Sequence, residues 1–177
     1  FNGGTEDGLK KFNKFLDALD YKSKDKKNII GGIHTFTIKN SAIFFDVGEP
    51  PTKGFSQSYQ SGPLSFEYYL DGEKIITNCG FGSNISSKAE LLSRLTSAQS
   101  TLTLNDASVT RFERNKLINR IFGNSIKDTF KINNLDFAEN KDKIKFTASH
   151  NGYEKKFGCI HKREVSINKV NGKLMGY

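Results

Sequence analysis

The stretch Leu64–Thr77, with the sequence LSFEYYLDGEKIIT, decides the fold class of this chain. Apolar residues recur at every second position from Leu64 to Leu70, which is the period of a half-buried β-strand. Asp71-Gly72 then supplies the dipeptide that a two-residue type I′ hairpin turn prefers. The stretch therefore predicts an antiparallel hairpin in which residues 64–70 pair with residues 73–78.

Short β-branched and aromatic runs of the same kind follow one another along most of the chain. They are Ile33–Ile38, Ala42–Val47, Thr101–Leu104, Ser108–Phe112, Thr129–Ile132, Lys143–Ala148 and Phe157–Ile167. Turn-forming residues separate several of them, as at Asn140-Lys141-Asp142, and Asn171-Gly172 offers a second type I′ turn near the end. Many strands at regular spacing predict a mainly β fold, an antiparallel β-sandwich, with a barrel as the open alternative.

The first part of the chain has a different pattern. From Thr5 to Tyr21 apolar residues recur at spacings of three and four, which predicts one amphipathic helix that needs a surface to pack on. The basic run Lys22–Asn28 has the composition of an exposed linker. We therefore divide the chain into residues 1–28, a helix and linker, and residues 29–177, a β-sandwich domain, with a further short helix possible at Ser87–Leu95.

Charge narrows the classes of partner. The 27 Lys and Arg residues outnumber the 19 Asp and Glu residues, so the formal charge of +8 favours encounter with polyanions. The basic residues are spread along the chain, without zinc-finger spacing or an RNP-type aromatic motif, so we expect no nucleic-acid partner. No apolar run approaches the roughly 20 residues that span a bilayer, so we expect no membrane span.

The cysteines and histidines give weak site signals. Cys79 and Cys159 lie in separate strand-like runs and predict two buried free thiols, without a disulfide or a metal knuckle. His34 and His161 alternate with apolar residues and are interpreted as structural. His150 ends a strand and begins the turn-like His150-Asn151-Gly152-Tyr153, where an imidazole and a phenol could converge at a sheet edge.

Two polar segments are candidate binding loops. Residues 56–67 and 93–101 carry many amides and hydroxyls, which hydrogen-bond sugars well but are also common in soluble loops. Arg94 in the second segment has the side chain that grips a carboxylate or sulfate through two parallel hydrogen bonds, although an isolated arginine is more often an ordinary surface residue.

Seven motifs, taken in order, make the chain resemble the C-terminal region of heparinase II/III-like proteins of the alphaproteobacterial type. The motifs are Phe1-Asn2-Gly3-Gly4, Asp46-Val47-Gly48-Glu49-Pro50-Pro51, Gly62-Pro63-Leu64-Ser65-Phe66-Glu67, Asn78-Cys79-Gly80, Arg94-Leu95-Thr96-Ser97-Ala98-Gln99-Ser100-Thr101-Leu102, His150-Asn151-Gly152-Tyr153 and Phe157-Gly158-Cys159-Ile160-His161-Lys162-Arg163. The resemblance implies a β-sandwich joined to an upstream helical toroid, with residues 1–28 as the end of that toroid. It also implies further strands beyond residue 177, so that the sandwich would be truncated at its C-terminal end.

The resemblance also implies site residues, and here the sequence departs from the family pattern. The family's sandwich contributes a loop histidine, and some members hold a metal through His, Asp and His. The matched positions in this chain are Gln60, Asn78 and Gln99, so every imidazole has become an amide. An amide takes no proton near neutral pH and is a poor zinc ligand, so we expect no metal and no cofactor.

Two functions stay open. In the first, which we favour, the intact protein is a polysaccharide lyase that acts by β-elimination on uronic-acid-containing glycans, with the key tyrosine and base in the toroid. The sandwich alone would then be inactive, and the protein would be periplasmic. In the second, the chain is a non-catalytic module that binds a glycan or serves the cell envelope structurally.

The expected partners are an acidic polysaccharide and the upstream helical domain of the same chain. We expect Gln60, Asn78, Arg94 and Gln99 to contact the acidic sugar. His150 and Tyr153 are the candidates for catalysis.

Overall fold

The structure is a computed structural model that describes residues 6–21 and 29–177, and it contains two antiparallel sheets. The strands are β1 (Ile29–Ile30), β2 (Ile33–Ile38), β3 (Ser41–Asp46), β4 (Phe66–Leu70), β5 (Glu73–Ile76), β6 (Ile132–Glu139), β7 (Lys143–His150), β8 (His161–Asn168) and β9 (Leu174–Gly176). The helices are α1 (Glu6–Ala18), α2 (Ser87–Ser93), α3 (Lys116–Phe122) and α4 (Glu154–Phe157). Strands β1 to β5 form one sheet in sequence order, and β6 to β9 form the other.

The predicted hairpin is confirmed. Strands β4 and β5 pair antiparallel, with Leu70 opposite Glu73. The turn residues Asp71 and Gly72 have φ values of 53° and 84°, the left-handed conformation that a type I′ turn requires at both positions. The turn type sets the pairing next to the turn, and a β-bulge between Tyr68 and Tyr69 then shifts the register, so that Tyr68 lies opposite Ile76.

The two sheets pack face to face around one apolar core, which confirms the predicted sandwich. Phe36, Ile43, Phe45 and Tyr68 come from the first sheet, and Ile144, Phe146, Val165 and Ile167 come from the second. The Phe45 ring lies 4.7 Å from Phe146 in the facing sheet. His34 lies in the same core with its ring 4.3 Å from Phe36, so this histidine is structural and fully inside.

Two of the helices match the sequence pattern. Helix α1 covers most of the predicted segment, and its apolar side chains Phe12, Phe15 and Leu19 are exposed. Helix α2 begins after Ser86, whose hydroxyl accepts a hydrogen bond from the Ala89 N–H at 3.1 Å and so caps the first turn. The predicted linker at residues 22–28 lies outside the described residues, and the division of the chain at residue 28 stays a prediction.

The predicted strands at residues 101–104 and 108–112 are wrong. This region makes only isolated bridges, Leu104 with Ala107 and Phe112 with Ile126. The reason is that side chains, rather than a neighbouring strand, satisfy its backbone. The Val109 N–H donates to the Thr96 hydroxyl at 2.9 Å, and the Thr110 N–H donates to the Ser61 hydroxyl at 3.0 Å.

Two predicted strand boundaries also change. The run 157–167 is broken, because α4 ends at Phe157 and Gly158 takes a left-handed conformation with φ 67° before β8 begins at His161. Strand β6 begins at Ile132, where the predicted strand ended, and continues to Glu139. Its continuation was missed because an edge strand with mostly exposed side chains has no apolar alternation to detect.

The prediction of buried thiols is wrong as well. Cys79 and Cys159 are both free and both exposed, since each lies in an irregular segment rather than in a strand. Among the described residues, no helix has the length and apolar character needed to cross a bilayer.

Candidate functional site

Four polar segments, one of them from the connection between β3 and β4, pack against one another. We call this unit the loop layer; it comprises residues 56–65, 78–79, 93–113 and 125–126. The Ser61 N–H donates to the Arg94 carbonyl at 2.9 Å. Gly62 lies so close to Gln99 that a Cβ atom added at Gly62 would stand 2.9 Å from Gln99 Cγ. Only glycine permits this approach, which joins the two segments that the sequence marked as polar.

The three amides that the resemblance matched to metal-binding positions, Gln60, Asn78 and Gln99, belong to the segments of this layer. The Gln99 Nε2 group donates to the Ser93 carbonyl at 2.7 Å, and Asn78 Oδ1 accepts from the Ser100 N–H at 2.8 Å and from the Ser100 hydroxyl at 3.0 Å. Gln60 is 4% exposed, and its Nε2 group makes no hydrogen bond to a described residue. The sequence therefore identified side chains that the fold does bring to one place.

These amides do not fit a zinc ion. The Asn78 oxygen is already committed to two hydrogen bonds, and amide oxygens are weak ligands for an ion that prefers imidazole and thiolate. Within residues 6–21 and 29–177, no group of three or more His, Cys, Asp and Glu side chains is placed to hold a metal. Hydrogen bonds from Gln99 and Asn78 link the loop segments to one another.

Arg94 is fully buried, with 0% of its surface exposed. Its Nε group donates to the Tyr59 carbonyl at 2.9 Å and its Nη2 group to the Ser56 carbonyl at 2.8 Å, while the guanidinium carbon lies 4.3 Å from the Phe112 ring centre. Burial lowers the pKa of Arg94 to about 10, so the group is charged at neutral pH. Arg94 thus holds the backbone of the 56–59 loop, and its predicted contact with an acidic sugar stays a prediction that requires this loop to move.

His150 and His161 form a buried pair. The Gly152 N–H donates to His150 Nδ1 at 3.1 Å, so that nitrogen carries no proton and the neutral ring holds its proton on Nε2. His150 Nε2 lies 3.0 Å from His161 Nδ1, which makes His150 the donor and His161 the acceptor. Burial, then the neighbouring charges, lowers the pKa of His150 to about 3 and that of His161 to about 4. Both rings are therefore neutral at physiological pH.

Tyr153 lies beside this pair, with its ring 5.6 Å from the His150 ring. The sequence expected these two groups to converge at a sheet edge, and they do lie together, but His150 is 0% exposed and Tyr153 only 2%. The Tyr153 hydroxyl donates to the Leu102 carbonyl at 2.8 Å. A catalytic role for either group stays a prediction, and it would require the covering segments to open.

Arg163 joins the second sheet to the loop layer. Its Nη1 group donates to the Leu64 carbonyl at 2.6 Å and to the Ser100 carbonyl at 2.8 Å. Leu64 is fully buried with φ 58°, a strained conformation for a residue with a branched side chain. The guanidinium therefore fixes a strained turn at the point where the loop layer enters β4. Sequence reasoning quoted Arg163 in a motif but gave it no role.

Sequence reasoning also missed a buried carboxyl at the end of β3. Asp46 is 6% exposed, and burial raises its pKa to about 7 although its Oδ1 atom accepts a hydrogen bond from the Gly48 N–H at 3.0 Å. The charge of Asp46 also affects Tyr59. Burial, and to a smaller extent this negative charge, raises the pKa of the Tyr59 hydroxyl. The signal available was the Asp46-Val47-Gly48 motif, in which an acid directly follows a buried strand.

The exposed rim of the loop layer is basic. The Lys53 and Lys127 ammonium groups lie 3.5 and 3.6 Å from the two oxygens of Glu113, so two cations share one buried carboxylate. The backbone N–H of Asn115, together with Lys127 and Lys53, holds the pKa of Glu113 below its usual range. Phe55, 85% exposed, lies two residues from Lys53. We call these exposed residues, with Gln57 and Ser58, the basic rim; neither lysine had a sequence motif that marked it.

The family model described as "Heparinase II/III-like, C-terminal" matches residues 27–176. The chain belongs to this family. The resemblance stated from the seven motifs is thereby confirmed.

Two solved structures share the fold. A mutant of the heparan sulfate lyase HepC from Pedobacter heparinus matches with a TM-score of 0.57 and 19% identity over 88% of this chain and 23% of that one. A heparinase III with methylated lysines matches with a TM-score of 0.56 and 13% identity over 97% of this chain and 27% of that one. The chain thus spans about a quarter of the length of these lyases. No curated protein matches it.

Proposed function

We propose that this chain is the glycan-binding β-sandwich domain of a polysaccharide lyase-like protein that acts on uronic-acid-containing glycans by β-elimination. The observation that carries this proposal is the loop layer itself. Its amides, the buried Arg94 and the half-buried Arg163 bind the backbone of a polar loop beneath an exposed basic rim, in a chain of the heparinase II/III-like family. Such a rim attracts a polyanion, while the rigid loop fixes the geometry of its contacts.

Elimination on a uronate sets clear chemical requirements. A base removes the proton next to the carboxylate, a double bond forms between the ring carbons, and an acid protonates the glycosidic oxygen as its bond to the ring breaks. All three histidines of this chain are buried, with His161 the most exposed at 8%. We therefore infer that the base and the acid come from the upstream helical domain that the resemblance implies, and that the sandwich positions the sugar.

The second candidate is a glycan-binding or envelope module without catalysis. The observation in its favour is that Gln99 Nε2 is committed to the Ser93 carbonyl. The resemblance also matches Gln60 and Gln99 to positions where the family carries imidazoles. An amide keeps hydrogen bonding but loses proton transfer. The two candidates share the binding surface and differ only in turnover.

Binding is tested first, at the basic rim. The double change Lys53→Gln/Lys127→Gln should lower the affinity for a heparan sulfate oligosaccharide by roughly tenfold, about 1.4 kcal/mol, and should reduce the salt dependence of binding. Lys141→Gln/Lys173→Gln removes the same charge from exposed turn positions and should leave the affinity within a factor of about two. Equal losses in both variants would show that net charge alone drives binding and would remove the basic rim from the proposal.

Turnover separates the two candidates. The full-length protein is incubated with uronate-containing polysaccharides, and the ultraviolet absorbance of the unsaturated uronate is followed. Appearance of this chromophore supports the lyase. Saturable binding without any chromophore supports the non-catalytic module, and absence of both contradicts a glycan function altogether.

A further inference from the structure

The outward face of the five-stranded sheet carries two aromatic rings, away from the inter-sheet core. The register places Thr37 beside Ala42, Ala42 beside Tyr69, and Tyr69 beside Lys74 in one row across β2 to β5. Phe44, two residues after Ala42, lies on the same face, and its ring meets Tyr69 edge to face at 5.8 Å. The solvent face of an antiparallel sheet is normally polar, so a paired aromatic surface there calls for an explanation.

The small side chain of Ala42 leaves a depression between these rings. Its volume is about 520 Å³, within the range of roughly 300 to 1,000 Å³ that small-molecule sites occupy. The lining residues are Thr37, Lys39, Asn40, Ser41, Ala42, Phe44, Tyr69 and Gly72. An apolar floor and wall with a hydroxyl and amide rim is the combination that a sugar ring requires, since a pyranose has an apolar C–H face and a polar edge.

The charged side chains near this depression are of both signs and do not favour a ligand of one charge. Lys39 and Lys74 are the cations near it, and Asp71 and Glu73 of the adjoining hairpin offset them. Lys39 Nζ also donates to the Val170 carbonyl at 3.0 Å, and Lys74 Nζ lies 5.8 Å from the Tyr69 ring centre. Two cations and two carboxylates thus lie near the depression, whereas at the basic rim two lysines share one carboxylate.

We propose that this depression, the outer-sheet site, binds a pyranose ring of a glycan chain. Because the two rings stand at 80° to each other, the sugar places its C–H face on the Phe44 ring and an edge against Tyr69, above Ala42. Its hydroxyls bond to the polar rim that includes Thr37 and Asn40. The site is separate from the one assigned under the proposed function. Glu67 adjoins both, because it accepts from the Tyr69 hydroxyl at 3.0 Å and from the Asn78 N–H at 3.4 Å.

The test fills the depression and leaves the loop layer untouched. Wild-type protein, Ala42→Leu and the control Ala138→Leu, which adds the same bulk to exposed edge strand β6, are titrated with a neutral cello-oligosaccharide and with a heparan sulfate oligosaccharide at low and high salt. Ala42→Leu should lower the affinity for the bound sugar at least tenfold, Ala138→Leu should not, and high salt should not abolish binding. The thermal unfolding of each variant reports whether it is folded.

A second readout does not depend on a variant. The Ala42 methyl resonance should shift on titration of wild-type protein with the sugar, because this methyl forms the floor of the site. An unshifted Ala42 methyl, no binding of either sugar at high salt, or equal affinity of Ala42→Leu and wild type would each overturn the outer-sheet site. None of these results bears on the basic rim, whose binding is salt-dependent and is tested by Lys53→Gln/Lys127→Gln.

Discussion

The inter-sheet core and the loop layer both contain fully buried side chains, but different forces hold them together. Phe45 and Phe146 are 0% and 2% exposed and contact other aromatic and aliphatic groups. Arg94 and Ser61 are both 0% exposed, yet each side chain is bound to named backbone groups on distant segments. The first region excludes water with apolar area, whereas the second is linked by directional hydrogen bonds and still leaves Gln60 Nε2 and Arg94 Nη1 without a hydrogen-bond partner among the described residues.

The two regions therefore have different roles: the inter-sheet core mainly stabilises the fold, and the loop layer mainly positions side chains. Apolar contacts are non-directional, so the core contributes free energy in proportion to buried area and tolerates similar side chains. A buried hydrogen-bond network contributes less net free energy but fixes one geometry, and a missing member leaves its partners unpaired. We therefore expect substitutions in the core to lower the free energy of unfolding of the whole domain. Substitutions in the loop layer should mainly change the positions of the loop residues that form the candidate site.

The largest expected effect is in the core. Phe45→Ala should lower the free energy of unfolding by about 3 to 5 kcal/mol, because it leaves a cavity between Phe66 and Phe146, whose rings lie 5.2 and 4.7 Å away. Chemical denaturation measures the change. The matched control is Phe55→Ala at a residue 85% exposed, which should stay within about 0.5 kcal/mol of wild type. Equal effects of the two would mean that the sheets do not pack as described.

The second effect is in the loop layer. Arg94→Ala should lower the free energy of unfolding by about 3 kcal/mol, because it unpairs the buried carbonyls of Ser56 and Tyr59. Hydrogen exchange should become faster at residues 56–61 while strands β7 and β8 keep their protection. Arg94→Lys keeps the charge but not the forked geometry, so it should recover only part of the loss.

The same variant tests the predicted sugar contact of Arg94. Weaker binding of a heparan sulfate oligosaccharide together with an unchanged unfolding midpoint would assign Arg94 to the ligand. Weaker binding that accompanies faster exchange at residues 56–61 would assign it to the support of the loop.

The third effect depends on pH. Folded His150 and His161 stay neutral down to about pH 3 and 4, whereas unfolded histidine takes a proton below about 6.5. The stability that the pair contributes is complete above pH 6.5 and is lost as the pH falls below it. The free energy of unfolding should fall by about 1.4 kcal/mol per pH unit for each histidine between about pH 6.5 and 5.

The contribution of Asp46 to the free energy of unfolding has the opposite pH dependence, so the effect of the histidines is measured best in an Asp46→Asn background. Its folded pKa of about 7 lies above the unfolded value of 3.8, so its contribution is lost as the pH rises through this same range. Equilibrium unfolding at several pH values should therefore give a steeper slope in Asp46→Asn than in wild type. His161→Gln in that background should reduce the slope, with the remainder coming from His150 and from buried His34, whose pKa burial also lowers. An unchanged slope would show that the pair is not buried in its neutral form.

The smallest effect concerns the hairpin that links the core to the outer-sheet site. Gly72→Ala should lower the free energy of unfolding by about 1 kcal/mol, because Gly72 has φ 84° and a side chain is strained there. Gly54→Ala is the control, since Gly54 has open space around it and no such conformation. It should be neutral or slightly stabilising, so thermal unfolding should shift the two variants differently.

The sheets were largely predictable, and the errors cluster in the loop layer. The strands near residues 33–38, 42–47, 64–70 and 143–148 were identified because their sequences are rich in β-branched and aromatic residues, which alternate with polar ones in several of them. Residues 101–112 have the composition of strands, but the hydroxyls of Ser61 and Thr96 take the bonds that a neighbouring strand would have made. Composition reports a preference for extended backbone and cannot report which partner satisfies it.

For the candidate site, the sequence motifs identified the correct segments but did not show whether their side chains are exposed or buried. Gln60, Asn78, Arg94 and Gln99 were chosen from polar loops and a family pattern, and the fold gathers them. Their burial was not predictable, because polar residues in a loop are exposed by default. The basic rim was missed for the opposite reason, since Lys53 and Lys127 become neighbours only through Glu113.

By itself the sequence determined the class of fold, the hairpin at Asp71-Gly72, the helix at α1 and the family. These depend on periodicity and on turn chemistry, which are properties of neighbouring residues. Tertiary structure alone decided that Arg94, His150 and Tyr153 lie inside, that Asp46 holds its proton up to about pH 7, and that two rings share the outer face with Ala42. Burial and pKa depend on every atom that the folded chain brings near, and distant segments supply most of those atoms.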